Sequence, residues 1–228
     1  TGTTAIQTYL QARLGPPAYP VGTVVPYQHL EASLVALRPR RLGPAALARS
    51  AADAEILRGW VEAARRSSTR LVLSSEELSL MRHADEVDRL LDLLATHGAG
   101  PFEVVVVRRD PSTYVPSFKL AANIIRKSPH ADLVPPPAPR EIREGSWLVD
   151  HDARVALWSA RCTVHVLDYE AEVARRGSIV PAVAAVVGVT ASSDDELSRQ
   201  WLNTSAELQA AVEAAIREKY GVAPPTED

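Results

Sequence analysis

Val104-Val105-Val106-Val107 sets four β-branched residues in a row within residues 102–108, and such a run is stable only as a strand covered on both faces. β-branched side chains lose rotamer freedom in a helix and pack well on a pleated surface. Residues 70–75 and 163–168 are two further short apolar runs of the same kind. Between the runs lie helical patterns. Residues 44–66 carry Leu47, Ile56, Leu57, Trp60 and Val61 at helical spacing, residues 85–97 carry Val87, Leu90, Leu91 and Leu94, and residues 112–126 and 147–160 follow. Strands alternating with helices predict an α/β layered fold, a parallel sheet with crossover connections. The 228 residues, 46% hydrophobic and 23% charged, suit one domain of ordinary globular composition.

A formal net charge of -3 argues against a surface built for duplex nucleic acid. The longest apolar stretch, residues 179–189, is interrupted by Pro181 and is too short for a bilayer, so no transmembrane segment is expected and the protein reads as cytoplasmic. Cys162, the single cysteine, rules out an internal disulfide and reads as a buried strand thiol. The six histidines show no metal-ligand spacing, and no metal is expected. The Walker, dinucleotide and nucleophile-elbow patterns are all absent.

Thr1-Gly2-Thr3-Thr4 precedes Ala5, Ile6, Tyr9, Leu10 and Leu14, which recur at helical spacing. The N–H groups of Gly2 to Thr4 then face outward at a helix start, where unpaired donors and the positive end of the dipole attract an anion. A turn of this composition normally follows a buried strand, so a first strand is expected ahead of Thr1. The four-valine run has a comparable continuation, Arg108-Arg109-Asp110-Pro111, with Ser117 two helical turns further on. Open α/β sheets bind ligands at the carboxyl ends of their strands. Arg109 is placed to fork onto a phosphate while Ser117 donates from the helix face; the plainer alternative pairs Arg108 and Arg109 with surface acids such as Asp110.

These segments resemble the sulfotransferase family. Thr1-Gly2-Thr3-Thr4 looks like the end of the Lys-Thr-Gly-Thr-Thr loop that binds the 5'-phosphosulfate of 3'-phosphoadenosine 5'-phosphosulfate. Arg109 and Ser117 resemble the family's pair for the cofactor's 3'-phosphate. Val164 to Tyr169 with Glu170, followed by residues 179–189, is similar to a strand, Tyr-Glu and helix-Gly segment of the family's C-terminal half. The resemblance implies a three-layer P-loop NTPase-like parallel sheet flanked by helices, and transfer of a sulfuryl group to a hydroxyl of a glycan, lipid or small metabolite. There are two departures: the loop lysine lies outside these residues, and the Gly-rich C-terminal loop has no counterpart beyond Asn203, Thr204 and Ser205, which suggests a divergent bacterial-type branch.

Sulfuryl transfer to an alcohol needs a base near the in-line axis. Residues 70–75 lead into Glu76 and Glu77 at the expected ligand edge, and the resemblance implies a histidine or glutamate base just after this strand, which makes Glu76 the first candidate with Glu77 behind it. The competing reading has Ser75 capping the next helix and both glutamates complementing its dipole. His29, in Pro26-Tyr27-Gln28-His29, is the other candidate base, or else a surface or capping residue. Residues 15–26 and 128–145 would shape the acceptor pocket, with the proline-rich residues 135–139 as a lid or a plain connector. Thr204 and Glu207 form a capping-box pattern ahead of a final helix. Two rival functions remain in view: an ATP-dependent phosphotransferase using Asp168 for magnesium, and a noncatalytic scaffold or glycan-binding domain.

Overall fold

The computed structural model describes residues 3–24, 26, 28–127 and 129–190. Thr1, Gly2, Trp201, Asn203, Thr204, Ser205 and Glu207 lie outside the described residues. Among the described residues, eight α-helices and two strands run in the order α1 (Thr3–Leu14), α2 (Leu30–Ala36), α3 (Pro44–Arg66), α4 (Ala84–Thr96), β1 (Glu103–Arg108), α5 (Pro111–Ile125), α6 (His151–Ser159), β2 (Thr163–Asp168), α7 (Tyr169–Arg176) and α8 (Val180–Val187). The class is α/β, with mixed helices around a small parallel sheet. β1 and β2 pair in parallel from Glu103 opposite Thr163 to Arg108 opposite Asp168.

The helix boundaries follow local chemistry. Pro44 and Pro111 stand in first turns, where a missing N–H costs nothing. Asp150 and Asp168 accept the N–H of Ala153 and Ala171 and so start α6 and α7. The expected helix over residues 147–160 therefore begins four residues late, at the residue after the cap. Gly177, at φ +74°, ends α7 in the left-handed conformation that a side chain disfavours.

Two separate apolar cores lie on the two faces of the sheet. One joins α2, α3, α4 and α6 through Leu34, Leu57, Val61, Val87, Leu90 and Trp158, and Val104 and Val164 pack against it. The other joins α1 to α8 through Ile6, Tyr9, Leu10, Val180 and Val183, and Val105, Val107 and Leu167 pack against it. Alternate valines of β1 thus feed opposite cores, which is why the run contains no polar position.

The expected strand over residues 70–75 is extended but belongs to no ladder. Its side chains still alternate, with Leu71 and Leu73 packed toward the first core and Val72 toward the second. Its backbone bonds instead to loops: Val72 N–H donates to Ala18 O, and Ser74 accepts from His29 N–H. Cys162 sits just ahead of β2, half-buried, with its thiol on Trp158 O, and burial raises its pKa.

Gly43, preceding α3, donates its N–H to Leu133 O, and a Cβ on it would stand 1.9 Å from Asp132 O. Backbone, unlike a flexible side chain, cannot swing away. Gly43→Ala should therefore destabilise the fold by about 1–3 kcal/mol through forced separation of these two segments, as a lowered midpoint in urea would register.

Candidate functional site

A cleft of about 400 Å³ opens between residues 70–80 and β1, floored by α1 and α8 residues and bordered by α5 and α6. Its inner part is apolar, with Leu71, Leu73, Val105 and Val107 among its walls. Its polar residues include Thr3, Glu76, Glu77, Arg109, Tyr114, His151, Arg154 and Tyr169. Arg109 and Tyr169 stand at the carboxyl ends of the two strands, where side chains reach past the sheet into the space that ligands occupy in parallel α/β folds.

Arg109 is held from two sides. Its guanidinium lies 4.5 Å from the ring centroid of Tyr169 and 5.9 Å from that of Tyr114, and its Nε is 3.8 Å from Glu170 Oε1. No hydrogen bond satisfies this buried Nε. The neighbouring Arg108 turns outward to Asp152 at 2.5 Å, and Asp110 caps the start of α5 by accepting the amide and hydroxyl of Ser112. Arg109 therefore pairs with Glu170 rather than with Asp110. Ser117 is half-buried on α5 and is not part of the cleft wall, so Arg109 and Ser117 do not converge on this cavity.

Glu76 begins a 3-10 turn, Glu76–Leu80. Burial, then the charge of Glu77, push its carboxyl pKa above the usual range, against a hydrogen bond from the Thr3 hydroxyl. Glu77 is engaged elsewhere, accepting from Ser75 Oγ at 2.7 Å and from Gln28 Nε2. Ser75 makes no side-chain cap; its hydroxyl links Ser33 to Glu77. Thr3 places the start of α1 in the cleft, whereas Thr4 is half-buried outside its wall.

His29 is not in the cleft. The ring is 0% exposed, between Tyr19 at 4.5 Å and Trp60 at 5.3 Å, its Nδ1 accepts from Ser74 N–H and its Nε2 meets Pro20 O. Burial lowers its pKa, so it is a neutral core histidine fastening residues 70–75 to the loop before α2. A base in that position has no access to a substrate. Asp168, the magnesium ligand required by the phosphotransferase reading, has its carboxylate on Ala171 N–H. Among the described residues no group of three or more His, Cys, Asp or Glu is placed to hold a metal ion.

Three cleft residues had not been singled out from the sequence: Tyr114, His151 and Arg154. The spacing of His151, Arg154 and Trp158 puts all three on one face of α6, and Trp158 at the core end of that face was the only available signal. Pro136 and Pro137 of the proline-rich segment also border the cleft, and Arg126 Nη2 donates to Pro137 O. Among the described residues no helix is long and apolar enough to cross a membrane. No protein-family model matches the chain, and neither the curated proteins nor the solved structures contain a match to it.

Proposed function

We propose that the chain transfers a sulfuryl group from 3'-phosphoadenosine 5'-phosphosulfate to a hydroxyl of a glycan, lipid or small metabolite. The observation that carries this reading is Arg109 at the end of β1, lining a cleft that also contains Glu76 and the start of α1, with a buried Nε that makes no hydrogen bond and has only Glu170 Oε1 at 3.8 Å. A buried guanidinium N–H without a hydrogen bond is the kind of donor that an oxyanion satisfies. The nucleotide supplies the sulfuryl group and its phosphate leaving group. Arg109 holds a phosphate of the nucleotide, and the N–H groups at the start of α1 hold the phosphosulfate end. Glu76 takes the proton of the acceptor hydroxyl as its oxygen bonds to sulfur and the sulfur–phosphate oxygen bond breaks.

The same reading extends to the sheet. The wall of residues 71–73 and the edge of β1 that pairs with no strand among the described residues both line the cleft, and their side chains alternate toward the same two cores. One further parallel strand in that cleft would pair with β1, complete a P-loop-like sheet between helical layers, and leave the polar mouth open.

Adenosine 3',5'-bisphosphate should bind saturably in calorimetry, and Arg109→Met should weaken it by about tenfold to a hundredfold, the worth of a hydrogen-bonded charge. Absence of binding at millimolar nucleotide would sink the assignment. Unaltered affinity in Arg109→Met would remove this arginine from it.

A further inference from the structure

Arg154 is a second guanidinium in the cleft, and it has a different neighbourhood from Arg109. It projects from α6, donates to Leu148 O at 2.9 Å and meets His151 Nδ1 at 3.2 Å. Those contacts use two of its five donors. The acidic neighbours whose charge would act on it are Asp150, which also caps α6, and the Tyr114 phenol, which burial keeps neutral. Among the described residues no carboxylate forms an ion pair with it. Burial depresses its pKa, an uncommon condition for an arginine and one that a bound anion relieves.

The two arginines flank His151. The Arg109 backbone bonds to Nε2 of that ring and Arg154 to Nδ1. Arg109 packs against Tyr169 and Tyr114 and pairs with Glu170 at the end of β2, whereas Arg154 has its contacts on α6 and acts on the Tyr114 hydroxyl through its charge, as Glu76 also does. Glu76, Tyr114 and Arg154 all line the one cleft, so a ligand that offers its hydroxyl to Glu76 has Arg154 within the same cavity.

We propose that Arg154 anchors an oxyanion on the acceptor, so that the hydroxyl sulfated by this protein belongs to an anionic compound. The inference rests on the sulfuryl-transfer reading for its acceptor, but not for the anion site itself. A planar guanidinium with free donors matches a carboxylate in two parallel hydrogen bonds, and Tyr114 lines the same cleft. Neutral alcohols would leave a desolvated charge without a partner, which costs more than the contact they would gain.

The probes are 4-hydroxybenzoate and its neutral isostere 4-hydroxybenzamide, titrated into the full-length protein with and without adenosine 3',5'-bisphosphate. The wild type should prefer the carboxylate by about tenfold, Arg154→Met should lose the preference, and Arg154→Lys should keep part of it. Nucleotide affinity should not change in either variant. Equal affinities, binding of neither probe, or a preference that survives in Arg154→Met overturns the proposal. A fall in nucleotide affinity in Arg154→Met overturns it too, by moving this arginine to the nucleotide. Failure of the nucleotide to bind, with the Arg154-dependent preference intact, leaves the anion site standing and removes sulfuryl transfer instead.

Discussion

Glu76→Gln should lower kcat/KM about 10²- to 10⁴-fold, the usual worth of a positioned general base, while adenosine 3',5'-bisphosphate binds as before. The isostere keeps the size of the side chain and its place beside Thr3, and removes only the capacity to accept a proton. Burial and the nearby charge of Glu77 raise the pKa of this carboxyl, so its basic form appears at higher pH than an ordinary carboxylate's. The acid limb of kcat/KM should therefore inflect above the ordinary carboxylate value of 4.5 and vanish in Glu76→Gln. Linkage adds an independent sign. A carboxyl whose folded pKa is raised destabilises the fold as pH climbs from its unfolded value through its folded one. Glu76→Gln should accordingly melt at a higher temperature than wild type at neutral pH, a gain in stability coupled to the loss of turnover. A wild-type profile with no acid limb would transfer the base role to another group.

Glu86→Ala should cost about 3–5 kcal/mol of stability, the penalty for breaking a buried charged pair by deleting one partner. Glu86 is 0% exposed in the first turn of α4. Its two oxygens accept from Arg38 N–H at 3.1 Å, Arg82 N–H at 3.0 Å and Arg41 Nη1 at 2.8 Å. Burial alone would raise its pKa, but these donors together hold it below the usual carboxylate range. Its stabilisation is present above the unfolded value near 4.5 and is lost as pH falls through the lower folded value. Urea midpoints measured across that window should fall for wild type and stay comparatively flat for Glu86→Gln. Equal slopes would show that other groups carry the acid sensitivity.

The periodic elements were legible because each obeys a single dominant rule. Residues 44–66 formed a helix over the expected range, and residues 163–168 a strand, since apolar spacing and a proline or aspartate cap agreed in each. Residues 70–75 looked the same in sequence, yet a strand is a pairing and not only a composition. With Val72 and Ser74 bonded to loops, the alternation persists without a ladder. That Glu76 and Arg109 fall in one cleft was legible because both follow apolar runs that end at one edge. His29 misled because a loop histidine has the same sequence signature whether its ring faces solvent or is sealed between Tyr19 and Trp60. Arg154 stayed hidden for the converse reason: an arginine in an amphipathic helix looks solvated until tertiary packing withdraws its water.

The free edge of β1 also bears on how the site holds its shape. Among the described residues, the N–H and C=O groups of β1 directed away from β2 have no backbone partner, and they line the apolar slot beneath Arg109. Amides of that kind exchange their hydrogens readily, whereas those bonded to β2 should be among the slowest in the protein. Whatever quiets the outer row also fixes the strand end from which Arg109 projects. Exchange protection of β1 and affinity for an anion at its tip should then rise together, one measured at the backbone and the other at the ligand.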